Sequence, residues 1–269
     1  MRFKFKNLLI TLFFIFNSQI LFAVEFKGKF NQGSFIIGKT SPGSRIIIDE
    51  KRVKVTNQGF FAFGISKDRK NDIKITLFNE NKKEVIIKKV FKRKYLIQRI
   101  DGLPSKMVTP PKEVLNRIKN DNKKIVKARA VNSNLEFFTQ NFVKPIDNSI
   151  ITGVYGSQRI LNGKPRSPHY GVDFAGKEGT PIIAMADGIV TLAEKDLYFT
   201  GGTLIFDHGH GISTLYMHLK ELKVKKGQKV KQGDIIGTLG KTGRATGPHL
   251  DIRLNWFDIK LDPMTILPK

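Results

Sequence analysis

Apolar runs in this chain are short, and each ends at Gly, Pro, Asn or Asp. That punctuation limits most of the molecule to strands and turns. Between residues 25 and 97 the runs Ser34–Ile37, Arg45–Asp49, Arg52–Val55, Phe60–Phe63, Ile73–Phe78 and Glu84–Phe91 are rich in β-branched and aromatic side chains. Ser41-Pro42-Gly43-Ser44 is a turn by its chemistry, because Pro presets φ and Gly accepts a positive one. A small β-sandwich is expected here. The same texture returns from Ile150, in Gly188–Leu192, Gly202–Phe206, Ser213–Tyr216 and Asp234–Leu239. Between the two regions, Val114, Leu115, Ile118, Ile125 and Val126 recur at helical spacing among Lys and Asn. Thr109 is expected to cap that helix with Pro110-Pro111 in its first turn, and the helix to pack one apolar stripe. The chain therefore reads as mainly β: a basic β-rich accessory domain over 24–97, a linker with a connecting helix over 98–148, and a β-barrel or sheet domain over 149–269.

Residues 1–23 read differently. Arg2, Lys4 and Lys6 precede the apolar run Leu8–Phe16, and Ile20-Leu21-Phe22-Ala23 follows. This pattern is that of a secretory signal cleaved after Ala23. The run is short and interrupted for a membrane anchor, so no transmembrane segment is expected after cleavage. The expected location is the periplasm or cell envelope. The chain holds 47 Lys+Arg against 23 Asp+Glu, a balance of +24 that calls for an anionic partner. Residues 24–148 carry 28 basic and 12 acidic side chains, whereas 149–269 carry 16 and 11. Export argues against nucleic acid. The basic N-terminal part is instead expected to meet an anionic envelope surface.

Histidine is distributed the opposite way. His169, His208, His210, His218 and His249 all lie in the C-terminal region, and cysteine is absent, so a metal site could use only His, Asp or Glu. His169-Tyr170-Gly171-Val172-Asp173 separates imidazole and carboxylate by four residues. A straight strand would hold them about 13 Å apart, so the chain must bend, and Gly171 permits a bend. His249-Leu250-Asp251 has a spacing of two, which places both side chains on one strand face. His218 lies in the strand-like Tyr216-Met217-His218-Leu219. Together these supply enough nitrogen and oxygen donors for a zinc site with bases beside it.

From Ser167 the chain strongly resembles the lysostaphin-type (LytM-like) zinc metallo-endopeptidases, which are peptidoglycan hydrolases. The resemblance rests on Pro168–Asp173, Gly179-Thr180-Pro181, Ala186-Asp187-Gly188, Asp207–Gly211, Leu215–Leu219 and Thr242–Leu250, in that order. It implies a LytM-like β-barrel or sheet of lipoyl-hammerhead type, and makes His169 and Asp173 zinc ligands. His218 and His249 become the catalytic histidines that do not ligate. The family's third ligand is usually a histidine two residues after the one matching His249; here that position is Asp251, which leaves bound Zn²⁺ formally neutral. The implied activity is hydrolysis of peptidoglycan stem-peptide cross-links by metal-activated water, D,D-type bonds in particular. The alternative is a degenerate LytM-like domain that binds and regulates another murein hydrolase. Tyr170 and Arg253 flank the motifs and are candidates for substrate contact or for packing. His208 and His210 fall in a turn and receive no catalytic role. The Lys–Gly hairpin pattern of 225–234 also resembles lipoyl- or biotin-carrier barrels, but without their isolated modifiable lysine.

Overall fold

The computed structural model describes residues 24–79 and 82–268. The signal reading of residues 1–23 lies outside the described residues, and among these no helix is long and apolar enough to cross a membrane. The chain is mainly β, as its punctuation requires. In the N-terminal region one sheet joins Glu25–Lys27, Phe35–Lys39 and Phe60–Gly64, and a second joins Lys51–Val53, Arg45–Ile48, Ile73–Asn79 and Lys82–Lys88. Phe35, Phe61, Phe63, Ile46, Ile75 and Leu77 are buried between them.

The C-terminal region is built on an eight-stranded antiparallel sheet. Its order is Lys229–Val230, Gly188–Leu197, Gly201–Gly209, Ile212–Leu219, His249–Trp256, Val172–Ala175 and Ile150–Gly153, with Ile259–Leu261 added beside His249–Trp256. A small sheet of Pro181–Ile183, Ile235–Thr238 and Glu221–Leu222 covers it. Ile182 and Ile236 from the small sheet are buried with Val172, Phe174, Leu204, Phe206, Leu250 and Ile252 from the large one.

The period-two alternation of His249–Trp256 sets the site and the core on opposite faces. Leu250 and Ile252 enter the C-terminal core, while Leu254 and Trp256, farther along the same face, join Phe61 and Phe63 in the core of the N-terminal sheets. His249, Asp251 and Arg253 occupy the other face. One strand thus runs from the candidate site into the N-terminal core.

The linker departs from expectation in two respects. Thr109 follows a short helix, Ser105–Val108, whose C-terminus it closes by donating its N–H to Ser105 O. The long helix, Leu115–Arg129, begins after a 3₁₀ turn at Lys112–Val114 and has no side-chain cap. Lys164 and Arg166 occupy the Thr109 hydroxyl, which is why it is not available to the helix. The apolar stripe is also only partly used. Ile125 and Ala128 pack against Leu192, Leu197, Ile205 and Leu215, whereas Leu115 and Val126 are exposed. Strand Ile97–Ile100 meanwhile pairs in parallel with Gln158–Leu161, so the start of the linker is tied to the C-terminal region.

Candidate metal centre

Strand register brings two carboxylates face to face. Asp173 is the cross-strand partner of Asp251, and Ala175 of His249. Like charges directly opposite each other repel, so this pair needs cations around it. His169 supplies one side. Its backbone is fixed to the preceding turn, with N–H donating to Ser157 O at 2.8 Å and C=O accepting from Gly156 N–H at 2.7 Å. The chain bends at Gly171, and His169 Nε2 reaches 3.1 Å from Asp173 Oδ1 and 3.3 Å from Asp251 Oδ2. Gly171 is required for close approach more than for turning: a Cβ there would collide with Asp251 Oδ1 and lie 2.5 Å from Ile252 O. Gly153 does the same for Asp173, whose Oδ2 would be struck by a side chain at that position.

The three side chains are buried and their donor atoms lie within 4.8 Å of one another. Both His169 nitrogens and Asp173 Oδ1 are buried without a hydrogen-bond partner. Donors about 2.0–2.1 Å from a tetrahedral zinc ion sit about 3.3–3.4 Å from each other. The spacings here are 3.1 and 3.3 Å. The imidazole and the carboxylates point to a shared centre instead of bonding to one another, and the donor set fits zinc. Without an ion, burial disfavours the charged imidazole of His169, but Asp251 and Asp173 outweigh it and raise its pKa. Burial works against the Asp251 carboxylate, yet Arg253 and His169 hold it well below the usual carboxylate range.

His218 and His249 stand beside this centre, with ring centroids 4.7 Å apart. His218, next to the end of strand Ile212–Leu219, adopts φ +65° and donates Nδ1–H to Thr242 O at 2.8 Å. Thr242 is itself anchored, its hydroxyl bonded to Leu219 O and to Gly202 N–H. His249 Nδ1 faces Gly247 O at 2.9 Å. Each carbonyl fixes the tautomer and leaves the Nε2 lone pair free. Burial and the neighbouring His249 push the His218 pKa down to about 4, so its ring is neutral near pH 7.

All five residues singled out from the sequence therefore meet in one place. The other two histidines stand apart from them. His208 is saturated by Asp187 O at 2.7 Å and Thr214 Oγ1 at 2.8 Å, and His210 packs on the Phe138 ring. Tyr170 lies against Lys260 and Tyr155. Arg253 bonds Asp251, with Nη2 at 3.0 Å from Oδ2 and Nε at 3.3 Å from Oδ1. The sequence did not reveal Arg159, whose Nη2 is 2.7 Å from Asp173 Oδ2. The Arg253 contact was readable, since the residue lies two positions beyond Asp251 on the same strand face.

Residues 167–263 match the sequence profile of peptidase family M23. Peptidoglycan DD-endopeptidase ShyA of Vibrio cholerae is 46% identical over 88 residues, 33% of this chain and 20% of that protein. The chain spans less than a third of the length of such curated relatives. A Pseudomonas aeruginosa protein assigned to peptidase M23 superposes with a TM-score of 0.68 at 26% identity, covering 89% of this chain and 95% of that one. The catalytic domain of lysostaphin from Staphylococcus simulans is 35% identical, with 44% of this chain and 91% of that domain covered at a TM-score of 0.40. By the profile match, residues 167–263 of this chain form a peptidase family M23 domain.

Proposed function

We propose that the protein is an exported, zinc-dependent endopeptidase that hydrolyses D,D-type amide bonds in peptidoglycan stem-peptide cross-links. The observation that carries this reading is the convergence of three buried donors, two of the residues lacking hydrogen-bond partners at those atoms, beside two histidines with free Nε2 lone pairs. His169 Nε2, one oxygen of Asp173 and one of Asp251 would hold zinc. When bound, zinc supplies a water of lowered pKa and a Lewis acid for the scissile carbonyl. Arg159 occupies the outer oxygen of Asp173 and keeps Oδ1 aimed at the centre, while Arg253 grips both oxygens of Asp251, including the Oδ2 that faces His169, and fixes that carboxylate in place. Neutral His218 accepts a proton at Nε2, and His249 Nε2, 4.0 Å from Asp173 Oδ1, lies at the edge of the same centre. Between them the two rings can take the proton of the attacking water and return it to the leaving amine. The basic N-terminal region, with its exposed lysines, fits a salt-sensitive hold on the anionic envelope, with murein as the substrate.

Zinc content of the full chain, measured with digestion of cross-linked muropeptides, tests the reading. About one zinc per chain and cleavage at the cross-link are expected; a metal-free protein that cuts nothing after zinc addition overturns it. Asp251→Ala is expected to lose zinc and Asp251→His to retain it. His218→Ala should keep the metal and lose turnover, and loss of zinc in that variant would refute the division between ligands and bases.

A further inference from the structure

Four arginines lie on the segments that build the candidate centre or adjoin it, and they divide into two kinds. Arg159 and Arg253 are each paired with a carboxylate. Among the described residues, no carboxylate lies within 4.0 Å of a nitrogen of Arg166 or Arg244. Arg166 is spent on backbone, its Nε and Nη2 donating to Val108 O at 3.2 and 2.8 Å. Arg244 is not. It lies over the Phe199 ring, 4.5 Å from the centroid, and donates one Nη1–H to Met107 O at 3.2 Å. Its Nε and Nη2 have no protein acceptor among the described residues.

Arg244 is half-buried on the loop that serves the centre. Two residues earlier, Thr242 O holds His218, and the Arg244 N–H is pinned to Phe199 O at 2.9 Å. Burial, together with Arg159, Arg253 and Arg166, lowers the Arg244 pKa to about 10. A guanidinium partly withdrawn from water, without a carboxylate partner of its own and with other arginines as its charged neighbours, is stabilised by an anion brought from outside the chain. Its planar fork, with Nε and Nη2 both open, matches two oxygens of one carboxylate.

We propose that Arg244 receives the carboxylate borne by the carbon that carries the leaving nitrogen of the scissile amide. A D,D-amide has this group whether its leaving part is a terminal D-alanine or the acidic end of a diamino acid in a cross-link. An amide to a lysine ε-nitrogen or to the interior of a glycine bridge lacks it. Arg244 would thus select D,D-bonds over those cross-bridges. This assignment rests on the endopeptidase reading and adds the feature of the substrate that the site recognises.

The test uses the zinc-loaded full chain and two pentapeptides ending in D-alanyl-D-alanine, one with a free C-terminal carboxylate and one amidated. Binding is measured by calorimetry and cleavage by mass spectrometry. The free acid is expected to bind about ten- to a hundredfold more tightly, the range for a charge-assisted hydrogen-bonded pair. Arg244→Gln should bring the acid-to-amide ratio close to one with zinc content unchanged, and Arg244→Lys should restore part of it. If the wild-type protein binds and cuts acid and amide equally, the carboxylate assignment falls while the endopeptidase reading stands. A wild-type preference that survives in Arg244→Gln removes Arg244 from the role. If neither peptide is bound and cross-linked muropeptides are also left intact, both readings fall together. The wild-type ratio decides the matter even where a variant does not fold.

Discussion

The Asp251–Arg253 pair can be tested as a unit by a double-mutant cycle in metal-free protein. Asp251 is 2% exposed at its side chain and Arg253 27%, with Nη2 3.0 Å from Oδ2. Opposite unit charges about 4 Å apart attract by about 4 kcal/mol at an effective dielectric near 20. Freed Arg253 recovers hydration because more than a quarter of it already meets solvent, which lowers the observable coupling to about 2 kcal/mol. The two single variants should differ. Arg253→Gln strands a buried carboxylate opposite Asp173 and is expected to cost about 3 kcal/mol. Asp251→Asn leaves a guanidinium that can turn to water and relieves the repulsion across the strands, so about 1–2 kcal/mol is expected. The double variant should lose about 2 kcal/mol less than the sum. Urea unfolding in excess chelator, followed through Trp256, the single tryptophan, measures all four proteins. The folded pKa of Asp251 is depressed. Its contribution is therefore present above the unfolded carboxylate pKa, about 4, and is lost as pH falls through the folded value. The coupling should vanish in strong acid, once Asp251 is protonated. Additivity within about 0.5 kcal/mol at pH 7 would refute the ion-pair argument.

Other perturbations have equally definite outcomes. Gly153→Ala and Gly171→Ala press a methyl group onto the Asp173 and Asp251 carboxylates. Each should cost about 1–3 kcal/mol and weaken zinc binding about ten- to a hundredfold, as read by chelator competition; unchanged affinity would mean the carboxylates are not ligands. His208 is buried, bonded at both nitrogens, and has its pKa lowered to about 4 by burial. Its folded pKa is below the unfolded value of about 6.5, so the unfolded state binds the extra proton and stability falls as pH drops through that window. His208→Gln should flatten the loss between pH 6.5 and 4 by about one proton, measured by thermal unfolding against pH. Zinc at about a hundredfold above its Kd should stabilise the full chain by about 2.7 kcal/mol over the chelated protein. No shift in Tm on chelation would exclude a native metal site.

The site was legible in the sequence where its chemistry is local. Spacing two put Asp251 on the face of His249, and the glycine between His169 and Asp173 allowed the bend that brings them to 3.1 Å. What could not be read depends on distant pairing. Arg159 reaches Asp173 because its strand, Gln158–Leu161, is braced by Ile97–Ile100 and by Lys164–Pro165. Gly153 matters only because the strand it ends lies beside Asp173. The cap assigned to Thr109 failed for the same reason: the competing donors, Lys164 and Arg166, come from more than fifty residues away. Apolar periodicity marked the helix but not its orientation, and Leu115 and Val126 ended on the solvent side.

Strand His249–Trp256 begins at the candidate metal centre and ends among Phe61, Phe63 and Leu77. Two equilibria therefore share one rigid element, and linkage between them is reciprocal. Were zinc binding to tighten the N-terminal sheets through this strand, loosening those sheets would lower metal affinity by the same free energy. Amide exchange in strand Phe60–Gly64 would then slow when zinc is added at the far end of the molecule. The N-terminal sheets would thus become a place from which the candidate site's affinity for metal is tuned.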